Sequence, residues 1–273
     1  MFSQSMSKRS REWLSSFVML LLLVIFFDAH AASSEEYVEE AEAYIQKGDM
    51  NAAIIQLKNA LKQDPKNVKA RFLLGQTYLQ RGNGPGAEKE LERARRLGMD
   101  WQQVIIPLGR AYLFQGKGEK VLEDLKVEDD FPSALKAELL VLHANAYLMQ
   151  NQRDKAEGAF ERALQLAPDS ADAMLGKARL AVVDRRLPES QQLVDLVLQA
   201  YPENSEAWAV HGELARLKGD LSTAKQSFDK AVELRPSNLS ALLGSAGVRI
   251  ALGDLELAEK KIDEVRRAIP NLP

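Results

Sequence analysis

The 273-residue chain is 46 % hydrophobic and 27 % charged, with 36 Lys plus Arg against 39 Asp plus Glu. That composition excludes a wholly disordered or collagen-like chain, and a net charge of −3 argues against nucleic acid as the main ligand. Cysteine is absent, which removes disulfides, thiolate catalysis, Cys-ligated zinc and a lipidated N-terminal cysteine.

The N-terminus reads as an address. Lys8, Arg9 and Arg11 precede an apolar run from Leu14 to Phe27, broken only by Ser15 and Ser16. Asp28-Ala29-His30-Ala31 follows, with small residues where a signal peptidase inspects. The run would be roughly 21 Å long as a helix, short of a ~30 Å hydrocarbon core. Residues 1–31 are therefore expected to be a secretory signal peptide, cut between Ala31 and Ala32 to leave 242 residues. The product is expected in the periplasm or cell envelope, touching a membrane only through an uncleaved signal or a partner.

The remainder is one unit repeated. Pro168, Pro202, Pro236 and Pro270 are spaced by 34 residues, and Pro65 lies three periods plus one residue before Pro168. With each proline at unit position 32, the approximate units are 34–67, 68–101, 102–136, 137–170, 171–204, 205–238 and 239–270. Position 15 reads Gly48, Gly82, Gly116, Asn151, Arg185, Gly219 and Gly253. Apolar residues recur at helical spacing in two stretches per unit. Glycine closes the first and aspartate can cap the second, as in Gly48-Asp49 and Gly219-Asp220. The proline ends the second stretch, and Asn67, Ser170, Asn204 and Asn238 stand ready to cap the next unit. Small residues at positions 8 and 20, such as Gly75 with Ala87 and Gly212 with Ala224, are expected to let the two helices cross closely.

Small residues at positions 8 and 20, a large one at 24 (Leu57, Leu91, Leu125, Phe160, Val194, Phe228, Ile262) and a glycine turn midway resemble the tetratricopeptide repeat, or TPR. The resemblance covers residues 34–270 and implies an all-α, right-handed superhelical solenoid of about seven helix-turn-helix units. Unit three departs from the pattern at Glu128-Asp129-Asp130-Phe131-Pro132, so its second helix is expected to end early. Unit five has Arg185 at the turn and Pro188 in the first turn of its second helix.

Little chemistry can be assembled. His143 and His211 share unit position 7 and read as packing residues roughly 20 Å apart, too far to share a metal. Arg81-Gly82-Asn83-Gly84-Pro85-Gly86 lacks the Gly-Lys-Ser/Thr ending and the preceding strand of a phosphate loop. Acidic residues sit beside lysines and arginines on mixed faces, as in Glu88-Lys89-Glu90. No catalytic residue, metal ligand or cofactor site is expected, and no enzyme.

The resemblance implies instead a concave groove lined by positions 2, 5, 9, 12 and 13 of the first helices. The candidate partner-binding residues are Phe72, Gln76, Ile106, Arg110, Phe114, Val141, Asn145, Met149, Leu175 and Arg179. Leu113, Leu148 and Val182-Val183 extend the apolar floor. Position 5 reads equally well as core. It is never charged, so the lysine-based carboxylate clamp of chaperone-tail-binding members is not expected. The expected partner is a protein or peptide rather than nucleic acid. The last helix is expected to leave Ile262, Val265 or Ile269 partly uncovered, which would allow self-association.

Tyr44-Ile-Gln-Lys-Gly-Asp49, then Ala53-Ile-Ile-Gln-Leu-Lys-Asn-Ala-Leu-Lys-Gln-Asp-Pro65 and Ala70-Arg-Phe-Leu-Leu-Gly-Gln-Thr-Tyr78, are similar to one bacterial family. Residues 36–125 resemble the TPR-repeat protein of PEP-CTERM/exosortase gene clusters, which accompanies exopolysaccharide synthesis and export. That resemblance implies a scaffold within an export or sorting system. An assembly factor for pili or outer-membrane complexes is the alternative, and a non-catalytic region of an enzyme a third reading.

Overall fold

The computed structural model describes residues 32–268, so the expected signal sequence and cleavage site at residues 1–31 lie outside the described residues. Among them the chain forms fourteen helices and no strand. They pair as α1 (Ser34–Gln46) with α2 (Met50–Gln63), α3 (Val68–Gln80) with α4 (Gly84–Arg96), and α5 (Trp101–Phe114) with α6 (Gly118–Asp124). The series continues with α7 (Ser133–Met149) and α8 (Arg153–Leu166), then α9 (Ala171–Val183) and α10 (Leu187–Ala200). It ends with α11 (Ser205–Leu217) and α12 (Leu221–Leu234), then α13 (Leu239–Ala251) and α14 (Leu255–Ala268). No helix among the described residues is long and apolar enough to cross a membrane.

Local signals start and stop these helices. Asn67, Ser170, Asn204 and Asn238 each accept a hydrogen bond from the backbone N–H three residues on. Asp49 and Asp220 cap the second helices of their pairs in the same way. Position 15 is left-handed in every pair, including Asn151 at φ 58° and Arg185 at φ 61°. Two polar clamps join neighbouring units. The Ser34 hydroxyl donates to the Ala60 carbonyl and accepts from Asn67 Nδ2. Ser205, Ala231 and Asn238 repeat that arrangement near the other end.

The first helix of each pair packs directly on the first helix of the next, whereas the backbones of successive second helices stay apart and meet only through long side chains, such as Lys120 Nζ with Glu88 at 3.3 Å. The first helices therefore form the inner, concave layer and the second helices splay apart on the convex side. The core is a continuous seam between these layers, filled by buried alanines at position 20 and large residues at position 24.

The helices cross closely at position 8, where the nearest neighbour is the large residue at position 24. A β-carbon added at Gly75 would lie 2.6 Å from Leu91 Cγ, and one at Gly212 would lie 3.0 Å from the Phe228 ring. The small residue at 8 makes room for the large one at 24, because that side chain projects into the crossing. Ala87 and Ala224 are buried beside it.

Unit three is interrupted as expected. Helix α6 has seven residues, and the chain then runs without helix to Pro132 while Leu125 and Phe131 plug the core. Helix α7 begins at Ser133, four residues before the approximate unit start at 137, and is 17 residues long. At the far end Leu252, Leu255 and Leu257 are exposed and Ile262 is half-buried. The Val265 side chain and Ile269 lie outside the described residues.

Candidate partner-binding groove

Helices α5, α7 and α9 place seven of the ten candidate residues around one cavity of about 360 Å³ on the concave face. Ile106, Arg110, Phe114, Val141, Asn145, Leu175 and Arg179 all line it. Phe72 and Gln76 lie one unit earlier, half-buried, and Met149 is exposed one turn beyond the cavity.

Ile106, Val141 and Leu175 are core residues first. Each is buried, so only its tip reaches the cavity. Of the two readings of position 5, core describes Ile106, Val141 and Leu175, which neighbouring first helices bury, whereas Phe72 is half-buried and Leu243 is 49 % exposed. Exposed apolar side chains recur at position 13. Phe114, Met149, Val183 and Leu217 are 55, 48, 57 and 42 % exposed, one from each of four successive units. Phe114 rests against Gly82 of the preceding turn, and Met149 against Gly116.

The arginines are not free either. Arg110 Nη2 lies 3.8 Å from Glu138 and 4.0 Å from Asp172. Arg179 pairs with Glu206, which Arg235 grips from its other side. Glu42 and Lys69 make the same link at 2.8 Å with the signs reversed. Position 9 of one unit thus meets position 2 of the next. Pairing charges 27 or 28 residues apart would have revealed this ladder in the sequence. Desolvation lowers the pKa of Arg179, opposed by Asp172; it also lowers that of Arg235, helped by Arg179. The side chain of Asn145, between the two arginines, makes no hydrogen bond to another described residue.

The histidines pack. His143 Nε2 donates to the Leu125 carbonyl at 2.6 Å, tying down the end of the short α6. His211 Nδ1 lies 2.8 Å from Ser227 Oγ, and the ring meets Trp208 edge-on at 5.7 Å. Ser227 already donates to Thr223, so the His211 ring is the donor in that bond. Among the described residues no group of three His, Asp or Glu is placed to hold a metal ion.

Models of the tetratricopeptide repeat match residues 44–105, 147–214 and 209–273. The chain belongs to the tetratricopeptide repeat family. TPR solenoids present a groove to peptide or protein partners, and the comparisons indicate no catalytic family. The TPR chain is 27 % identical over 128 residues to Superkiller complex protein 3 of Homo sapiens, covering 45 % of this chain and 8 % of that protein. It is 24 % identical over 205 residues to DnaJ homolog subfamily C member 3 of Gallus gallus, covering 67 % and 39 %. It therefore spans well under half the length of either curated relative.

Among solved structures, a tetratricopeptide repeat protein from Parabacteroides merdae ATCC 43184 superposes with a TM-score of 0.61 at 20 % identity. The match covers 87 % of this chain and 94 % of that one. Pseudomonas aeruginosa pilF superposes with a TM-score of 0.52 at 21 % identity, covering 76 % and 94 %. These likenesses show the shared fold.

Proposed function

We propose that this TPR protein is an exported scaffold of the bacterial envelope, holding a protein partner within an exopolysaccharide/PEP-CTERM export or sorting system. The observation that supports binding is the exposed apolar row Phe114, Met149, Val183 and Leu217 beside the concave cavity. A partner covering this row would bury apolar surface that water now contacts. Export rests on the basic head, apolar run and Ala29-His30-Ala31 ending, and the system on the likeness over residues 36–125.

Assembly of pili or outer-membrane complexes is the second reading. The fold shared with pilF is compatible with it and does not favour it over the first. Self-association through exposed Leu252, Leu255 and Leu257 is compatible with either.

The test is crosslinking and pull-down from the native envelope, with Phe114→Ser/Met149→Ser as the control. Mass spectrometry of the purified chain reads the N-terminus. Capture that the double variant loses, from a chain beginning at Ala32, is the expected result. Capture that survives the double variant would place the binding surface elsewhere, and a retained Met1 in a cytoplasmic fraction would end the export reading.

A further inference from the structure

A second cavity, of about 290 Å³, lies between α7 and α8, away from the concave groove. His143 and Tyr147 line it from α7, and Lys155, Gly158 and Arg162 from α8. None of them lines the concave cavity. The site adjoins the end of the short α6, where the His143 ring donates to the Leu125 carbonyl.

Its charge is one-sided. Lys155 and Arg162 stand about two helical turns apart on one face of α8, with Gly158 between them. A β-carbon added at Gly158 would meet nothing within 4 Å, so the space between the two cations is open. Lys155 Nζ lies over the Tyr147 ring, 5.6 Å from its centre. Neither cation has an ion-pair partner among the described residues. Glu157 and Glu161 of α8 are drawn instead to Arg186 and Lys177 in the next unit. Among the described residues no Asp or Glu lines the cavity. Burial lowers the His143 pKa against its bond to Leu125, and the charges that reinforce burial are both cations, Lys126 and Arg162.

Two unpaired cations on the wall, with Lys126 acting on the same ring, leave positive charge that only an incoming anion can offset. A phosphate group carries about −1.5 to −2 at neutral pH and offsets it better than a singly charged carboxylate. The donors suit it as well. Arg162 brings a planar fork, Lys155 a compact charge, and Tyr147 a hydroxyl with no hydrogen-bond partner among the described residues. The volume sits near the lower end of the roughly 300–1,000 Å³ of small-ligand sites, more than a bare ion requires.

We propose that this cleft is an oxyanion site for a phosphate group, free or carried by a small phosphomonoester. Arg162 and Lys155 close on it over Gly158, and Tyr147 donates from its hydroxyl.

The His143 ring is a built-in reporter, and His211, in another unit, is the control within the same chain. The full chain is titrated at about pH 7.5 with inorganic phosphate, with glucose 1-phosphate, and with acetate and chloride at matched ionic strength. The histidine Cε1–H signals are followed by NMR and assigned through His143→Gln. Both phosphates are expected to move the His143 signal saturably and leave that of His211 in place. Acetate should bind at least about tenfold more weakly, one decade in Kd. Of the two phosphates, the tighter names the source.

The Lys155 and Arg162 side chains are exposed and unpaired, so Arg162→Gln and Lys155→Gln should melt as the parent does. Each should weaken phosphate binding several-fold. No saturable shift with either phosphate would overturn the proposal. So would an equal response to acetate or chloride, or indifference to both variants. None of these outcomes bears on the concave groove, where the scaffold reading is tested separately.

Discussion

The Phe160 ring fills the space that a side chain at Gly176 would need, so that an added β-carbon would lie 2.2 Å from Phe160 Cε1. Phe228 and Gly244 repeat this relationship sixteen residues apart, at 2.3 Å. Where position 24 is aliphatic, the residue sixteen later is larger: Leu57 with Leu73, Leu125 with Leu142 after the one-residue insertion, and Val194 with Val210. Adjacent units thus share volume across their boundary rather than within the hairpin alone. Gly176→Ala should cost about 1–3 kcal/mol through overpacking, although alanine is the better helix former. Phe160→Leu should recover much of that loss, and a double-mutant cycle by urea denaturation measures the coupling. Simple additivity would show that the two sites do not share space.

Arg185 holds a left-handed conformation that its equivalents at five other units assign to glycine. Only the clash of its own Cβ opposes that conformation. Arg185→Gly should therefore stabilise the chain by about 0.5–1 kcal/mol, the steric relief exceeding the added freedom of the unfolded state. Thermal melting at neutral pH checks this, and a lowered melt would mean the arginine side chain contributes more than its backbone costs.

Two ion pairs should respond very differently to loss of their acids. The Arg249 guanidinium is buried and donates from Nη2 to Asp229 at 2.9 and 3.0 Å. Asp229→Ala strands that charge and should cost about 1–3 kcal/mol. Arg179 and Arg235 keep about half of their side chains exposed beside a half-buried Glu206, so water screens their pairing more and Glu206→Gln should cost about 1 kcal/mol or less. Chemical denaturation of both variants ranks them, and an inverted order would contradict the burial.

Stability should fall as pH drops below about 6.5. Burial lowers the pKa of both His143 and His211 from an ordinary value of 6.5. Between the folded and unfolded values the unfolded chain binds more protons, so the stabilisation present above pH 6.5 is lost as pH falls. His143→Gln/His211→Gln should flatten the melting temperature between about pH 7 and 5. Lowered Glu88 and Asp220 act only in more acidic solution, below their ordinary 4.5 and 3.8. A slope through pH 6 that survives the double variant would assign it to other groups.

Much of the architecture was legible before any coordinates, because each hairpin is specified locally. Gly48, Gly219 and Gly253 end first helices, Asn67, Asn204 and Asn238 cap the next, and regularly spaced prolines forbid continuation. That α6 ends early was legible for the same reason, from Glu128-Asp129-Asp130 and Pro132, although it stops already at Asp124, ahead of Leu125 and Val127. These are contacts within a few residues, and a linear pattern records them directly.

Contacts between units escaped that reading. Which of Ile106, Arg110, Phe114 and Arg179 face solvent depends on how closely neighbouring first helices approach, and that distance is a property of the stack. Packing buried Ile106, Val141 and Leu175, left Phe114 and Leu217 exposed, and spent Arg110 and Arg179 on acids 27 or 28 residues away. Local sterics and capping chose the hairpins. Only their mutual burial chose which surface remained for a partner, because no hairpin alone defines an inside.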